Sequence, residues 1–374
     1  MTTKVPFFEY PRLWSDNREE LLSVIDNVSS SGGFILQKAV SDFEQELAKY
    51  AGCNYAVGVG NATDGMEIFL SAIGIKPGDE IIISSHTMLA TASAIKLSGG
   101  IPIPVDIGED YLINTQCIKD AITSNTVGIM PTQLNGRVCN MDEIISIAKK
   151  NNLFIVEDAA QALGARYKGQ HAGTFGLASA ISFYPAKVLG CLGDAGAILV
   201  NDKNLYDKIY QIHDHGRGKD GEVVRWGRNS RLDNIQAAIL SYKFKNYDKV
   251  IKRRRVIAQM YQERLNVLEQ LKLPPAPNEN SDNYDVYQNY ELLAESRDEL
   301  KTYLSQRNIG TLIQWGGKGI HHFTNLGFRQ VLPNTDKFFK SCIMLPMNIF
   351  ISDSDIDYVC EIIINFYKSN KKSI

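Results

Sequence analysis

The sequence predicts an α/β protein: a large domain built on a seven-stranded, mostly parallel sheet, followed by a smaller α+β domain. Three observations predict it. The chain has 374 residues, more than one typical core needs, so a large domain with a smaller companion is the expected arrangement. Between about residues 50 and 200, short apolar runs alternate with longer amphipathic stretches, the pattern of strands joined by helices that cover both faces of a parallel sheet. Beyond residue 230 the rhythm changes. A long helical stretch from Leu232 to about Leu271 leads into a Pro- and Asn-rich loop, Pro274–Asn283, and then into short elements ending at Ile363–Tyr367. We place the boundary at residue 245, giving a domain of residues 1–245 with an N-terminal arm and a domain of residues 246–374.

The individual elements follow from the apolar pattern. The runs Tyr55–Gly58, Glu80–Ser84, Ile101–Ile107, Val127–Gln133 and Phe154–Val156 are the first five strands, and Ala180–Tyr184 and Ala197–Val200 complete the seven. Asp64–Ile73 and Met141–Lys150 carry apolar residues at helical spacing. A net charge of -2 excludes a dedicated nucleic-acid binder. Six scattered cysteines (Cys53, Cys117, Cys139, Cys191, Cys342, Cys360) form no CxxC pair, which fits buried thiols in a reducing cytosol rather than a disulfide framework or a zinc site. No metal ligand is assigned. The start, MTTKVPFFEYPRLW, lacks a charged-then-apolar leader, no stretch is long and apolar enough to span a membrane, and the basic end KSNKKSI reads as a frayed tail. The expectation is a cytoplasmic enzyme.

Ligands of open parallel sheets bind beyond the carboxyl ends of the strands, and four positions there carry chemistry. Gly58–Asp64 (GVGNATD) lies between a strand and a helix, where small residues and free N–H groups suit a phosphate, although Asn61 or Thr63 as a plain helix cap explains it equally well. Its GxG lacks the third glycine of a dinucleotide fingerprint, so a nicotinamide-dependent oxidoreductase is the weaker reading and gives Lys187 no role. Glu157 and Asp158 follow an apolar strand, with Gln161 close behind. A carboxylate here either pairs with a structural partner or faces a pyridine nitrogen and keeps it protonated. Ser182 leaves a strand, Lys187 follows five positions on, and a glycine-punctuated turn to Gly196 comes next. A lysine that bonds a carbonyl needs a closed setting in which its amine sheds a proton, and apolar neighbours supply one. Lastly, Trp226–Ala238 is a loop entering a helix, in which Asn229 and Arg231 either cap that helix or reach an anion.

These residues, in this order and spacing, resemble the DegT/DnrJ/EryC1/StrS family of sugar aminotransferases, of pyridoxal-phosphate fold type I. The resemblance runs from Gly32–Leu36 and Phe43–Glu44 through the four motifs to Leu345–Pro346. It implies pyridoxal 5'-phosphate as cofactor and a homodimer with shared active sites. It further implies that Lys187 is the Schiff-base lysine, Asp158 the pyridinium partner and Gln161 the neighbour of the ring oxygen. Ser182 and the Ala62, Thr63 and Asp64 turn would cradle the phosphate, and Asn229 would reach it from the neighbouring subunit. Some members are dehydratases with histidine in place of the lysine, and Lys187 argues against that branch; a silent relative would be expected to lose Lys187 or Asp158. Two departures stand out. Met88 occupies the position where many relatives stack an aromatic ring on the cofactor, and His86 is an alternative for that task. Gln314, Trp315 and the Gly316–Gly317 pair, followed by His321 and His322, replace a His-Tyr-Pro motif near the substrate.

The implied reaction takes an amino group from L-glutamate and delivers it to a nucleotide-linked keto-sugar. Leu189–Gly196 (LGCLGDAG) resembles the pattern of enzymes acting at sugar C3; those acting at C4 more often carry a TTGEGG-like version. A dTDP- or UDP-3-keto-deoxysugar is therefore expected, with a C4 or cyclitol aminotransferase as the alternative. His86, His215, Trp315 and His321 are substrate-site candidates; His213 and His215 either lie near the substrate mouth or play structural roles. The basic run Lys252–Arg255 reads as the solvated face of a long helix in preference to a nucleotide-steering patch.

Overall fold

The computed structural model describes residues 4–218 and 220–370, so most of the basic tail lies outside the described residues. Seven strands build the main sheet: β1 (Tyr55–Val59), β2 (Glu80–Ser84), β3 (Ile101–Val105), β4 (Thr126–Met130), β5 (Phe154–Ile155, resuming after Val156 as Glu157–Asp158), β6 (Ala178–Ser182) and β7 (Gly196–Val200). Their spatial order is β1-β7-β6-β5-β4-β2-β3. Through the break in β5 the ladder persists, with Val156 N–H donating to Ile129 C=O (3.1 Å) and Thr132 bridging Asp158. All neighbours run parallel except β7, which is antiparallel to both β1 and β6. The expected α/β fold with seven mostly parallel strands is therefore present.

Parallel strands are buried on both faces, and the central residues of β2 (Ile81, Ile82, Ile83) are all inaccessible. One core packs Phe43, Leu47, Ile82, Ile129 and Phe183, and the other Val57, Phe69, Ile81, Ile83 and Ile198. The helix Lys38–Ala51 shows why such segments fold as they do. Val40, Phe43, Leu47, Ala48 and Ala51 recur at three- and four-residue spacing and are buried, and Gly52 (φ +74°) closes the last turn in the left-handed region.

A third core gathers Tyr261, Tyr290, Leu292, Ile343 and Leu345 around an antiparallel sheet of β8 (Leu271–Lys272), β9 (Tyr290–Ala294) and β10 (Cys342–Leu345). The helices Arg297–Ser305 and Asp353–Asn370 lie over it, and Val5 of the N-terminal arm packs into it. The long helix expected from Leu232 to Leu271 is instead two, Asn234–Phe244 and Tyr247–Leu265. Asn246 (φ −111°, ψ 10°) leaves helical geometry between them. The break lets Tyr247 and Ile251 join the main core while Ile257, Tyr261 and Leu265 join the third.

Candidate active site

Pairing register brings Val59, Gly196 and Ser182 into one row and sets Asp158 beside Ala180, so the ends of β1, β5 and β6 share one edge of the sheet. At that edge the helix Ala62–Ile73 begins. Asn61 caps it by accepting from the Asp64 N–H (2.9 Å), while the N–H groups of Ala62 and Thr63 have no partner among the described residues. Gly196 permits the close approach of β7, because a Cβ there would lie 2.6 Å from the Asn61 carbonyl carbon. A helix N-terminus with open donors beside the Ser182 hydroxyl is suited to a phosphate.

Lys187 sits on the turn after β6, its N–H donating to the Tyr184 carbonyl (2.8 Å). The turn folds back so tightly that a Cβ on Gly190 would meet the Pro185 oxygen at 2.7 Å. Desolvation brings the Lys187 amine from its ordinary 10.5 down to about 8, against the opposing charge of Asp158. Asp158 is buried. Its Oδ2 accepts from the Thr91 hydroxyl (2.6 Å) and its Oδ1 from the Ala160 N–H (3.1 Å). Burial pushes its carboxyl pKa up, and Thr91, Ala160 and Lys187 pull it back. Thr87 continues the chain, its hydroxyl 2.8 Å from both Thr91 and Thr132. The adjacent Met88 is half exposed at the start of the helix Leu89–Leu97, on the loop that supports Asp158.

Gln161 accepts from the Asn135 N–H (2.9 Å), and Asn135 Nδ2 donates to buried Glu291 (2.6 Å). With its oxygen turned toward Gln161 and its nitrogen toward Glu291, Gln314 closes the same network at 3.0 to 3.3 Å. His86 is buried with Nε2 3.6 Å from Glu291, and its ring packs edge-on against Trp315. The structure therefore brings Gln161, His86 and Trp315 together. His321 joins them through Ser85, whose hydroxyl lies 2.6 Å from His321 Nδ1.

His321, His322 and Asp336 gather three potential ligand atoms, and their hydrogen bonds define how they are used. The Gly319 N–H donates to His322 Nδ1 (3.0 Å), which puts that ring's proton on Nε2, aimed at Asp336 Oδ1 (2.7 Å). A metal ion would need that nitrogen's lone pair.

His215 and Asn229 lie elsewhere, both exposed on the 214–231 loop, His215 in the left-handed region at φ +58°. This loop contacts the phosphate-side helix junction through Ser230, whose hydroxyl accepts from the Gly60 N–H (3.0 Å). One open reading is decided and one expectation needs correction. His213 is fully buried, its ring held by the Tyr210 carbonyl, and is not at a substrate mouth. Arg254 and Arg255 are neither solvated nor a nucleotide patch. Both are buried and donate to the carbonyls of Tyr287, Gln288 and Asp285 at 2.6 to 2.9 Å.

Thr87, Thr91 and Ser230 were missed. Thr87 and Thr91 carry a weak signal, since hydroxyls four apart at the start of a helix after a site loop share one face. A cavity of about 420 Å³ approaches Lys187 between the N-terminal arm, Tyr242 and the Met347–Phe350 segment. Asp158 and Ser182 do not line it, so it is an approach to the lysine rather than the seat of a cofactor.

A lysine of lowered pKa electrostatically coupled to a buried aspartate, beside open helix N–H groups on this sheet, defines a class. It is an enzyme that bonds a carbonyl cofactor carrying a phosphate, on the fold of type I aminotransferases. Comparison with known proteins narrows this. The DegT/DnrJ/EryC1/StrS aminotransferase family matches residues 15–364, and the chain belongs to that family. A pleiotropic regulatory protein of Geobacillus stearothermophilus is 36% identical over 97% of this chain and 99% of its own. The dTDP-3-amino-3,4,6-trideoxy-alpha-D-glucose transaminase of Streptomyces venezuelae is 36% identical over 84% of this chain and 82% of its own. The crystal structure of S. venezuelae DesV, in complex with a ketimine intermediate, superposes with a TM-score of 0.93 at 33% identity, covering 98% of this chain and 99% of that one.

Proposed function

We propose that this protein is a pyridoxal 5'-phosphate-dependent aminotransferase that moves an amino group from L-glutamate to C3 of a nucleotide-linked keto-deoxysugar, as a cytoplasmic homodimer. The observation that carries the reading is the coupling of Lys187, its amine brought to about 8 by burial, with the buried carboxylate of Asp158. The similarity to a dTDP-3-amino-sugar transaminase and the Leu189–Gly196 pattern support the 3-position. The described residues contain no helix long and apolar enough to cross a membrane. A boundary near residue 245 divides the chain into a cofactor domain and a smaller one.

The residues fit the cofactor. Ala62 and Thr63, whose N–H groups have no partner among the described residues, and Ser182 with its hydroxyl would hold its phosphate. Asp158, fixed by Thr91 and Ala160, would hold a proton on the ring nitrogen. Gln161 would stand by the ring oxygen, Met88 would cover a ring face, and Asn229 of a second subunit would complete the phosphate site. Bound there, pyridoxal phosphate supplies an electron sink that lets an amine leave one carbon and join another. Lys187 anchors it and, once released, its amine Nζ carries the proton to and from the substrate carbon. His86, Trp315 and His321 would shape the sugar side, and His215, apart from them on the exposed 214–231 loop, is proposed as a further substrate contact.

The first test is the visible spectrum of the purified protein. A yellow protein that bleaches when L-glutamate is added supports the cofactor and donor, and one that stays colourless with added pyridoxal phosphate refutes the reading. Presenting the glutamate-treated enzyme with 3-keto and 4-keto nucleotide sugars then separates C3 from C4 transfer. Lys187→Ala is expected to abolish turnover and bind the cofactor only non-covalently; normal activity in that variant would falsify the assignment.

A further inference from the structure

The loop bearing Lys187 is held from a distant part of the chain. Gln288 is buried, and its side-chain amide reaches across to both peptide groups that flank the lysine. Its Oε1 accepts from the Val188 N–H (2.9 Å) and its Nε2 donates to the Ala186 carbonyl (2.8 Å). Gln288 is itself anchored. Arg254 donates to the carbonyls of Tyr287 (2.8 Å) and Gln288 (2.6 Å), holding Tyr287 in the left-handed region at φ +52°. From the geometry we infer that Gln288 is a positioning residue for Lys187, fixing the backbone on either side so that only the lysine side chain moves as it leaves and regains the cofactor.

The chemistry of the contact makes glutamine specific. Flanking peptides present one acceptor and one donor, and a primary amide answers both in one planar group, whereas a carboxylate would set its charge against the Ala186 carbonyl. A fixed Cα keeps the amine close to the carbon it attacks, and such pre-organisation contributes orders of magnitude to the rates of intramolecular steps. A second glutamine grips the loop downstream, with Gln236 accepting from the Leu192 N–H (3.0 Å) and donating to the Leu192 carbonyl (3.1 Å). It does not flank the lysine, which makes it an internal control.

This inference rests on the proposed cofactor chemistry, and the test separates the two. Capture is a condensation: the neutral Lys187 amine adds to the aldehyde of pyridoxal phosphate, a C=N bond replaces C=O, and one water leaves. Pyridoxamine phosphate has no aldehyde and cannot bond the lysine. We would measure, on apoprotein, the rate of covalent capture of pyridoxal phosphate (borohydride-fixed label at Lys187) and the Kd of pyridoxamine phosphate. Gln288→Ala is expected to slow capture about tenfold or more while the pyridoxamine phosphate Kd stays within about twofold of wild type. Gln236→Ala should leave the capture rate within about twofold. Gln288→Glu, which keeps the side-chain volume, decides the matter if the alanine variant does not fold, and the same split is expected. Wild-type capture in the Gln288 variants, or a parallel loss of pyridoxamine phosphate affinity, would overturn the positioning role. Absence of a borohydride-fixed adduct in the wild-type protein would instead remove the cofactor reading on which the role depends.

Discussion

In the proposed reaction Lys187 must be neutral to attack a carbonyl, and burial does most of that preparation. With the amine at about 8, its neutral fraction rises as pH passes through that value. Capture of pyridoxal phosphate by the apoprotein should therefore accelerate from pH 7 to 9 and then level off, as stopped-flow absorbance would record. The Asp158 charge holds the lysine value up, so Asp158→Asn should move the midpoint to lower pH; an unmoved midpoint would show that the two groups are not coupled. The sign for stability follows the same shift. Between about 8 and 10.5 the unfolded chain binds the proton and the folded one does not, so the Lys187 contribution favours folding increasingly as pH rises across that window. At this scale the placement of the motif residues at strand ends and turns was legible. Lys187, Asp158, Ser182 and the Ala62–Thr63 turn announce themselves because strand ends and glycine turns are local signals. Gln288 was not, since a contact between residues a hundred positions apart leaves no local pattern, and Arg254 looked solvated because its partners are backbone carbonyls that no sequence displays.

The break in β5 shows how an element serves the site. Glu157 and Asp158 adjoin, and strand alternation sends them to opposite faces. Asp158 turns to the lysine. Glu157 turns into a loop and accepts from the N–H groups of Gly173, Phe175 and Gly176 and from Gln133 Nε2, at 2.7 to 3.0 Å. It fastens the 173–176 segment that leads into β6, and β6 leads to Ser182 and Lys187. Replacing Glu157 with Gln would turn an NH2 group toward donors already pointing at the site. The expected cost is about 2 kcal/mol of stability, from buried donors left unmade. Urea unfolding of the apoprotein would measure it, and a change below about 0.5 kcal/mol would place the segment's anchorage elsewhere. Strand positions were legible to within a few residues because β-branched runs bounded by polar turns define them. The division of the long helix at Asn246 was not, because apolar spacing continues across it and the requirement to feed two cores is tertiary.

For the molecule as a whole, the proposed dimer carries the remaining consequence. The loop bearing Asn229 also holds Val223, Val224 and Trp226, the last 97% exposed, and Met88 and Tyr184 beside the site are half exposed. Apolar side chains left in water on this loop and beside the site are costly for one chain and natural for a face that a second copy covers. If Asn229 completes the neighbouring subunit's site, two defects in different chains can complement one another. Lys187→Ala and Asn229→Ala should each be nearly inactive alone. In an equal mixture after subunit exchange, about half the dimers are mixed, and in each of these one site collects both defects while the other collects neither, so about a quarter of wild-type activity returns. If Asn229 acts within its own chain, every site carries one defect and mixing restores nothing. The recovered fraction thus reports which chain supplies Asn229. With an affinity tag on one variant only, co-purification of the untagged variant shows whether exchange took place, so a null recovery from an exchanged sample decides against the shared site.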